Sequence, residues 1–535
     1  MENSIISHKG HSMMHHRGLW FLAFVIIFLL CGCAVGPDFT RPPANVSQTW
    51  LDTSDQRVKT EPAEYRNWWQ SFNDPILNGL IERAYRENLS LRIAGVRVLE
   101  ARAQLGIAVG GFYPQTQQAF GSLQYNRTSE YAPNFISPLL RYQQAEIGLM
   151  ASWELDFWGK FRRSVQSADA ILLATVADYD SALVSLTADV ANSYIQIRTL
   201  EKRLGIAHQN VETQRESLRI AEARFLHGTI SELDVEQAKT VLNNTLASIP
   251  VLEAQLRQAK NALCLLLGLP PSHLADLLGG TSEIPVSPAQ VVVGIPVDLL
   301  RRRPDVRSAE YQAVAQCAQI GVAKADLYPA FSLTGTFGFL SSDVGKFKLS
   351  DMFRWKSHTG QAGPSVQWNI LNYGRITNNV RVQDARFEQL LIAYQNTVLK
   401  AQQEVDDALV AFLRAQEQAG FLAQSTAAAK NSLDLSVLQY REGAKDFLTV
   451  VIAQQALLNQ QDNLATTLGN ISSNLVGVYR GLGGGWEIRE GKELVPPDIK
   501  EAMAKRTGWG KLLAPASYNL SPEEESKPSI RLPDW

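Results

Sequence analysis

Two stretches without proline, Gly159 to Gly228 and Gly374 to Gly443, constrain the fold of this 535-residue chain more than any other feature. In the first, apolar residues return every seven positions at Leu183, Val190, Ile197, Leu204, Val211 and Leu218. A second seam, Leu186, Ser193, Leu200 and Ala207, follows three residues later. In the second stretch the seams are Val398, Val405, Phe412 and Ala419 beside Ala401, Ala408, Ala415 and Leu422. A 3.5-residue hydrophobic period makes helices that supercoil around one another. At 1.5 Å per residue each stretch gives a helix ~100 Å long. No ordinary globular core needs such a helix, so the function has to be read from its length.

The two stretches belong to one duplicated unit. A constant spacing of 215 residues relates Tyr113-Pro114 to Tyr328-Pro329, Trp153 to Trp368, Gly228 to Gly443 and Leu267-Gly268 to Leu482-Gly483. Two such long copies read as one duplicated domain, not as a solenoid array. The copies occupy residues 76–270 and 296–485, with a linker at 271–295. Residues 33–75 read as an extended strap held by Trp50, Trp68 and Trp69, and the tail 486–535 is expected to pack partly on the body and then become disordered. A returning helix, Ser231 to Leu269, has the seam Val235, Leu242, Ile249, Leu256 and Leu263, and Pro250 is expected to kink it. Upstream, a helix is expected from about Pro75 to Gly110-Gly111. Their lengths, ~58 Å for the returning helix and ~48 Å for Leu80 to Gly111, together match the long helix. Two short helices stacked end to end beside one long helix are therefore expected.

Between these helices the period changes to two. Ala145, Ile147, Leu149, Ala151, Trp153, Leu155 and Phe157 alternate with Glu146, Gly148, Met150, Ser152, Glu154 and Asp156. Ala362, Pro364, Val366 and Trp368 alternate with Gln361, Gly363, Ser365 and Gln367, and Phe331 to Phe339 alternates with Ser332, Thr334 and Thr336. Strands of ~10–13 residues with one apolar and one polar face suit a membrane barrel, with lipid outside and water inside. Each copy supplies two strands, so a chain has four. Four cannot close, and an open edge cannot sit in lipid. The barrel must be shared, and two, three or four chains would satisfy closure.

The N-terminus reads as a lipoprotein signal peptide, residues 1–32. Lys9 and Arg17 precede an apolar run, Leu19 to Leu30, too short to span a bilayer. It ends Leu30-Cys31-Gly32-Cys33, which looks like a bacterial lipobox with Cys33 as the acylated residue, carrying N-acyl (palmitate-type) and S-diacylglycerol lipid. His8, His11, His15 and His16 lie in the removed segment, so no metal site is expected from them. Cys264 and Cys317 read as small core residues. His208, His227, His273 and His358 are isolated, and the Gly481-Leu482-Gly483-Gly484-Gly485 run lacks the Lys-Ser/Thr of a phosphate loop. No catalytic constellation and no cofactor is expected. A net charge of −2 gives no case for nucleic acid.

Several motifs carry a family resemblance: Cys33-Ala34-Val35-Gly36-Pro37-Asp38-Phe39, Trp158-Gly159-Lys160, Leu265-Leu266-Leu267-Gly268-Leu269-Pro270, Arg302-Arg303-Pro304-Asp305-Val306-Arg307 and Leu327-Tyr328-Pro329. Over about 34–486 the chain resembles the outer-membrane factors, the TolC/OprM family of efflux ducts. The resemblance implies a mainly α fold with a membrane β part, in which a homotrimer shares a 12-stranded transmembrane β-barrel and a long coiled α-helical barrel. It implies a location in the outer membrane, extending into the periplasm, and partnership with a periplasmic membrane-fusion adaptor and an inner-membrane RND-type pump. Drugs or other small toxic compounds would leave through the duct. A type I protein-secretion duct shares the fold and is the alternative; a pore-less coiled-coil lipoprotein is disfavoured by the period-two strands. Gly228, Thr229, Gly443 and Ala444 are the expected adaptor-docking tips. Asp234 and Tyr440 match the family's Tyr–Asp gate link, with Lys445 where the family can place an Arg. Thr449 and Ile452 depart from the constricting Asp residues that some members carry, and Asp446 is an unaligned substitute.

Mass spectrometry of the mature protein should find Cys33 at the N-terminus, carrying acyl chains. An unmodified start elsewhere would remove the anchor.

Overall fold

The computed structural model describes residues 34–514, apart from 44, 62–63, 128, 130, 132–140, 280–282 and 298–301. The signal segment and Cys33 lie outside the described residues, as does the tail beyond 514. In chain order the elements are β1 (Val58–Lys59), α1 (Pro75–Glu87), α2 (Leu89–Gly110), β2 (Thr116–Arg127), β3 (Arg141–Glu154), α3 (Lys160–Leu226) and α4 (Glu232–Leu266). There follow β4 (Val291–Val292), α5 (Pro304–Ala325), β5 (Ala330–Ser342), β6 (His358–Gln367), α6 (Arg375–Arg441), α7 (Phe447–Gly481) and α8 (Pro497–Arg506). The internal repeat holds in three dimensions. The long helices α3 and α6 have 67 residues each, and the returning helices α4 and α7 have 35 each. At 1.5 Å per residue the long helices extend ~100 Å.

The heptad seams are buried as their period requires. Leu183, Val190, Ile197 and Val211 on α3 and Val398, Val405 and Phe412 on α6 are all core residues. The short helices stack on α3 end to end, and one side chain makes the joint. Asn88 Oδ1 accepts the Leu91 N–H at the start of α2, while its Nδ2 donates to the Leu266 carbonyl at the end of α4, 2.9 Å away. The equivalent joint in the second repeat uses the equivalent residue. Arg303, before α5, donates to the Gly481 carbonyl at the end of α7 and pairs with Asp305 and Glu404. Each side chain satisfies a carbonyl that its helix end leaves orphaned. Asn88 also ends α1, so the single helix expected from Pro75 to Gly110 is two. A short side chain that binds the backbone on both sides competes with helix continuation there. Pro250 lies inside α4, which continues on both sides of it.

The four long strands form one antiparallel sheet in the order β2-β3-β5-β6. Leu149 faces Phe337, Ile147 faces Phe339 and Leu333 faces Pro364, so the apolar positions share one face. Ser152, Thr334 and Gly363 share the other. Trp153 donates its indole N–H to the Phe112 carbonyl and Trp368 to the Leu327 carbonyl, fixing each strand end to the end of a short helix. Among the described residues, β2 and β6 have no partner on their outer edges.

The strap enters at this junction of strands and helices. Val35 N–H donates to Trp158 O, and a Cβ on Gly36 would lie 2.5 Å from the Gly321 Cα. Further along, Asn45 and Ser47 bond Gln402, and β1 pairs in parallel with β4 of the linker. Trp50, Trp68 and Trp69 are buried, as the sequence reading expects, and Trp68 stacks on Tyr479 at 5.3 Å. The tail through Leu513 also packs on the body: Met503 and Val495 cluster with Leu99, and Arg102 donates to the Leu512 carbonyl.

One ionic cluster ties the two repeats and the tail together. Asp180 on α3 is 0% exposed and accepts from Arg489 in the tail and from Arg307 on α5. The two guanidinium groups also lie over the Trp486 ring, at 4.9 and 5.6 Å. Burial pushes the Asp180 carboxyl above its ordinary pKa, and the two arginines oppose that shift. Asp180→Ala should lower unfolding stability in detergent by ~3–5 kcal/mol, because it leaves the buried Arg489 and the partly buried Arg307 without the carboxylate they share. An unchanged unfolding midpoint would show that the cluster is dispensable.

Candidate periplasmic tips and gate

The two long helices end in the same backbone device. Thr229 N–H donates to the Arg224 carbonyl and Ala444 N–H to the Gln439 carbonyl, each at the six-to-one spacing of a Schellman turn. Gly228 and Gly443 supply the left-handed residue, with φ of 70° and 76°. A Cβ at either would meet nothing within 4 Å, so a side chain there would strain the backbone without crowding a neighbour and would project freely from the tip. Gly228, Thr229, Gly443 and Ala444 are all exposed. Apolar side chains surround them: Leu226 is 83% exposed, and Leu233 and its repeat equivalent Leu448 are also exposed. These turns lie at the end of the helices opposite the sheet.

Above the turns, a small core draws in all four long helices: Ala221, Val235, Val241, Leu433, Tyr440, Phe447 and Val451. Tyr440 is only 4% exposed, and its ring meets Phe447 edge-on at 5.2 Å. The direct Tyr440–Asp234 hydrogen bond expected from the resemblance is not made. Asp234 is the third residue of α4 and accepts both the Ser231 backbone N–H and the Ser231 hydroxyl. That local capping box competes for the carboxylate and wins. The Tyr440 hydroxyl has no hydrogen-bond partner among the described residues. Burial pushes its pKa up, Asp234 nearby adds to that, and Arg224 pulls it down. Lys445 is exposed on its turn, without an ion-pair partner among the described residues. In the second repeat the cap is reversed: Asp446 accepts from the Thr449 hydroxyl, and Ile452 stands exposed.

Nearest the tips, the residue that joins the two hairpins by hydrogen bonds is Arg224, which the sequence reading passed over. Its guanidinium lies 4.5 Å over the Tyr440 ring. It donates to the Tyr440 carbonyl at 2.8 Å and the Arg441 carbonyl at 2.7 Å. These carbonyls belong to the last turn of α6, where a cation is favoured, and that of Tyr440 also accepts the Gly443 N–H. Arg224 is the lowest rung of a polar seam at heptad spacing. Ser217 accepts from Gln454, Asn210 donates to Gln461 and Arg203 pairs with Asp462 at 2.7 and 2.9 Å, all from α3 to α7. Gln214 lies buried within this stretch, with neither amide atom bonded. The signal was present in the sequence: Arg203, Asn210, Ser217 and Arg224 each sit one residue before a position of the apolar heptad or its continuation. The arrangement adds polar contacts between the hairpins to the small apolar core that they share just above the tips.

Comparison with known proteins follows the same lines. The sequence profile of the family described as "Outer membrane efflux protein" matches residues 80–269 and again 295–484. The chain is 31% identical to the solvent efflux pump outer membrane protein SrpC of Pseudomonas putida, over 88% of this chain and 99% of that one. It is 31% identical to nodulation protein T of Rhizobium leguminosarum bv. viciae, over 87% of this chain and 93% of that one. Among solved structures, the outer-membrane channel OprN superposes with a TM-score of 0.79 at 32% identity, covering 85% of this chain and all of that one. The fold is thus that of the outer-membrane channels, with the strands as the membrane part and the long helices as the helical barrel. On the double match of its two repeats, the chain belongs to the outer membrane efflux protein family.

Proposed function

We propose that the protein is the exit duct of a tripartite efflux pump, working as a homotrimer and releasing small toxic compounds such as drugs or solvents outside the cell. The observation that carries this reading is the pairing of an open four-stranded sheet with ~100 Å helices that end together in exposed turns. Three copies complete the barrel, and acylated Cys33 adds a second hold on the membrane. The helices cross the periplasm, and the turns at Gly228, Thr229, Gly443 and Ala444 dock a periplasmic adaptor that links the duct to an inner-membrane RND-type pump. Efflux is favoured over protein secretion because the related proteins include solvent, cation and pyoverdine exporters. The work is transport: the duct supplies a path, and the pump supplies energy. An open duct this long would leak the periplasm, so the resting state needs closure near the tips. Arg224, with Tyr440, supplies that closure; Asp234 shapes the first turn, and Lys445 adds an exposed cation on the second.

Two measurements on the full-length protein test this. In a strain lacking its own duct, Gly228→Leu or Gly443→Leu should abolish restored drug tolerance while trimers persist; full tolerance in both variants would exclude the tips as the docking site. In planar bilayers, Arg224→Ala should raise the open population. Each charge-assisted hydrogen bond contributes ~1.5–3 kcal/mol, so losing one such contribution shifts the equilibrium by roughly 10- to 150-fold. Asp234→Ala with Tyr440→Phe should change conductance less than Arg224→Ala alone. The opposite order would restore the Tyr–Asp link as the lock.

A further inference from the structure

The outer end of the sheet carries a concentration of positive charge that a transport path does not require. Arg127 ends β2, Arg141 begins β3, and the two are direct cross-strand partners. Both follow the parity of Leu123, Ala145, Ile147 and Leu149, so they stand on the apolar, lipid-facing side of the wall. Both are exposed, with no carboxylate paired to them among the described residues. Like charges directly opposite one another destabilise a sheet, so this pair calls for an anion. Tyr125 lies just below on the same face, where an aromatic girdle meets the headgroups.

The segment between β5 and β6, residues 343–357, adds to this. It folds back over the lipid-facing wall instead of standing away from it. Trp355 packs against Phe337 and Phe339, whose strand partners are Leu149 and Ile147, and the Ser341 hydroxyl donates to the Lys348 carbonyl. Trp355 remains 70% exposed, and Phe353 and Phe347 stand exposed near it. Lys346, Lys348, Arg354 and Lys356 are interleaved with these aromatics, and all four are exposed. The two acidic residues of the segment are already engaged: Asp343 accepts the Gln143 N–H, and Asp351 accepts the Lys348 N–H and pairs with Arg354. Exposed aromatics and the lysines Lys346, Lys348 and Lys356, which have no ion-pair partner among the described residues, stand on the outside of a barrel just above its apolar band and match a surface of phosphorylated headgroups.

We propose that this rim binds the phosphates of an outer-leaflet lipid headgroup, with Arg127 and Arg141 clamping one phosphate between them and the basic segment 343–357 covering a neighbouring one. Paired guanidinium groups suit a phosphate because each presents two parallel donors to its oxygens. The lipid would thereby relieve the repulsion between the arginines and fix the collar of Trp355 against the wall. This rests on the placement of the sheet in the outer membrane.

The test uses the full-length protein purified in detergent, with bis-phosphorylated lipid A, its dephosphorylated form and inorganic phosphate as separate probes. Binding should be at least tenfold tighter for the phosphorylated lipid than for the dephosphorylated one. That preference should vanish in Arg127→Gln/Arg141→Gln and weaken in Lys346→Gln/Lys348→Gln/Lys356→Gln. Equal binding of the two lipids, an unchanged preference in both variants, or full competition by inorganic phosphate at matched concentration would each overturn the proposal. Bilayer conductance of the same variants separates the two levels of the claim: conducting variants that lose the lipid preference support the headgroup site, and conducting variants that keep it refute the site while leaving the duct intact. If the arginine variant does not insert, the lysine variant decides by the same readings.

Discussion

An unpaired strand edge cannot face hydrocarbon, because no water is there to satisfy its N–H and C=O groups. The sheet β2-β3-β5-β6 has two such edges, and the rest of the molecule follows from how they are completed. On the proposed reading, a chain with four strands combines with copies of itself, and the copies stand parallel to one another along the membrane normal. The sheet is antiparallel throughout, so β6 of one copy meets β2 of the next in the same sense in which β3 meets β5 within a copy. The duplication thus makes the junction within a chain and the junction between chains near-equivalents. The helices inherit this ring, since each long helix begins a few residues after a strand ends.

Within the ring, apolar heptads give the helices cohesion and polar positions give them freedom. Leu183, Val190 and Ile197 make a fully buried seam in the upper part of α3. Lower down, Arg203, Asn210, Ser217 and Arg224 add side-chain hydrogen bonds to the second hairpin beside the apolar core that the hairpins share. Such bonds are individually modest and can be exchanged for water when the hairpins part. At the upper end, Asn88, Arg303 and Asp180 do the opposite: each bridges elements from distant parts of the chain and locks them.

Much of this was legible in the sequence, because its strongest signals are periodic. The heptads, the spacing of 215, the period-two strands and the glycines at the tips each report a backbone geometry that neighbouring residues enforce. What escaped were pairings between residues far apart in the chain. Arg224 and Tyr440 are separated by 216 positions, and only the packed hairpins bring them together. The local engagement of Asp234 escaped for a related reason: a capping serine three residues before it offers a nearer partner than a tyrosine on the other hairpin. The break at Asn88 was hidden because Arg86, Glu87, Leu89 and Leu91 around it are good helix formers. The fold-back of 343–357 onto the lipid-facing wall leaves no periodic trace at all.

Closure of the barrel by identical copies is the central claim, and a disulfide across the junction tests it most directly. Carrying the β3–β5 register to the junction of β6 with β2, with the one-residue offset that the two hairpins show, sets Ser122 of one copy opposite Ser365 of the next. Both stand on the polar face. Cys264 and Cys317 are buried and should not interfere. A chain carrying Ser122→Cys and Ser365→Cys, oxidised in the membrane, should run on denaturing gels as a covalent ring of three chains, and each single variant as a monomer. A double variant that stays monomeric, or that closes at a different number of chains, would contradict the account.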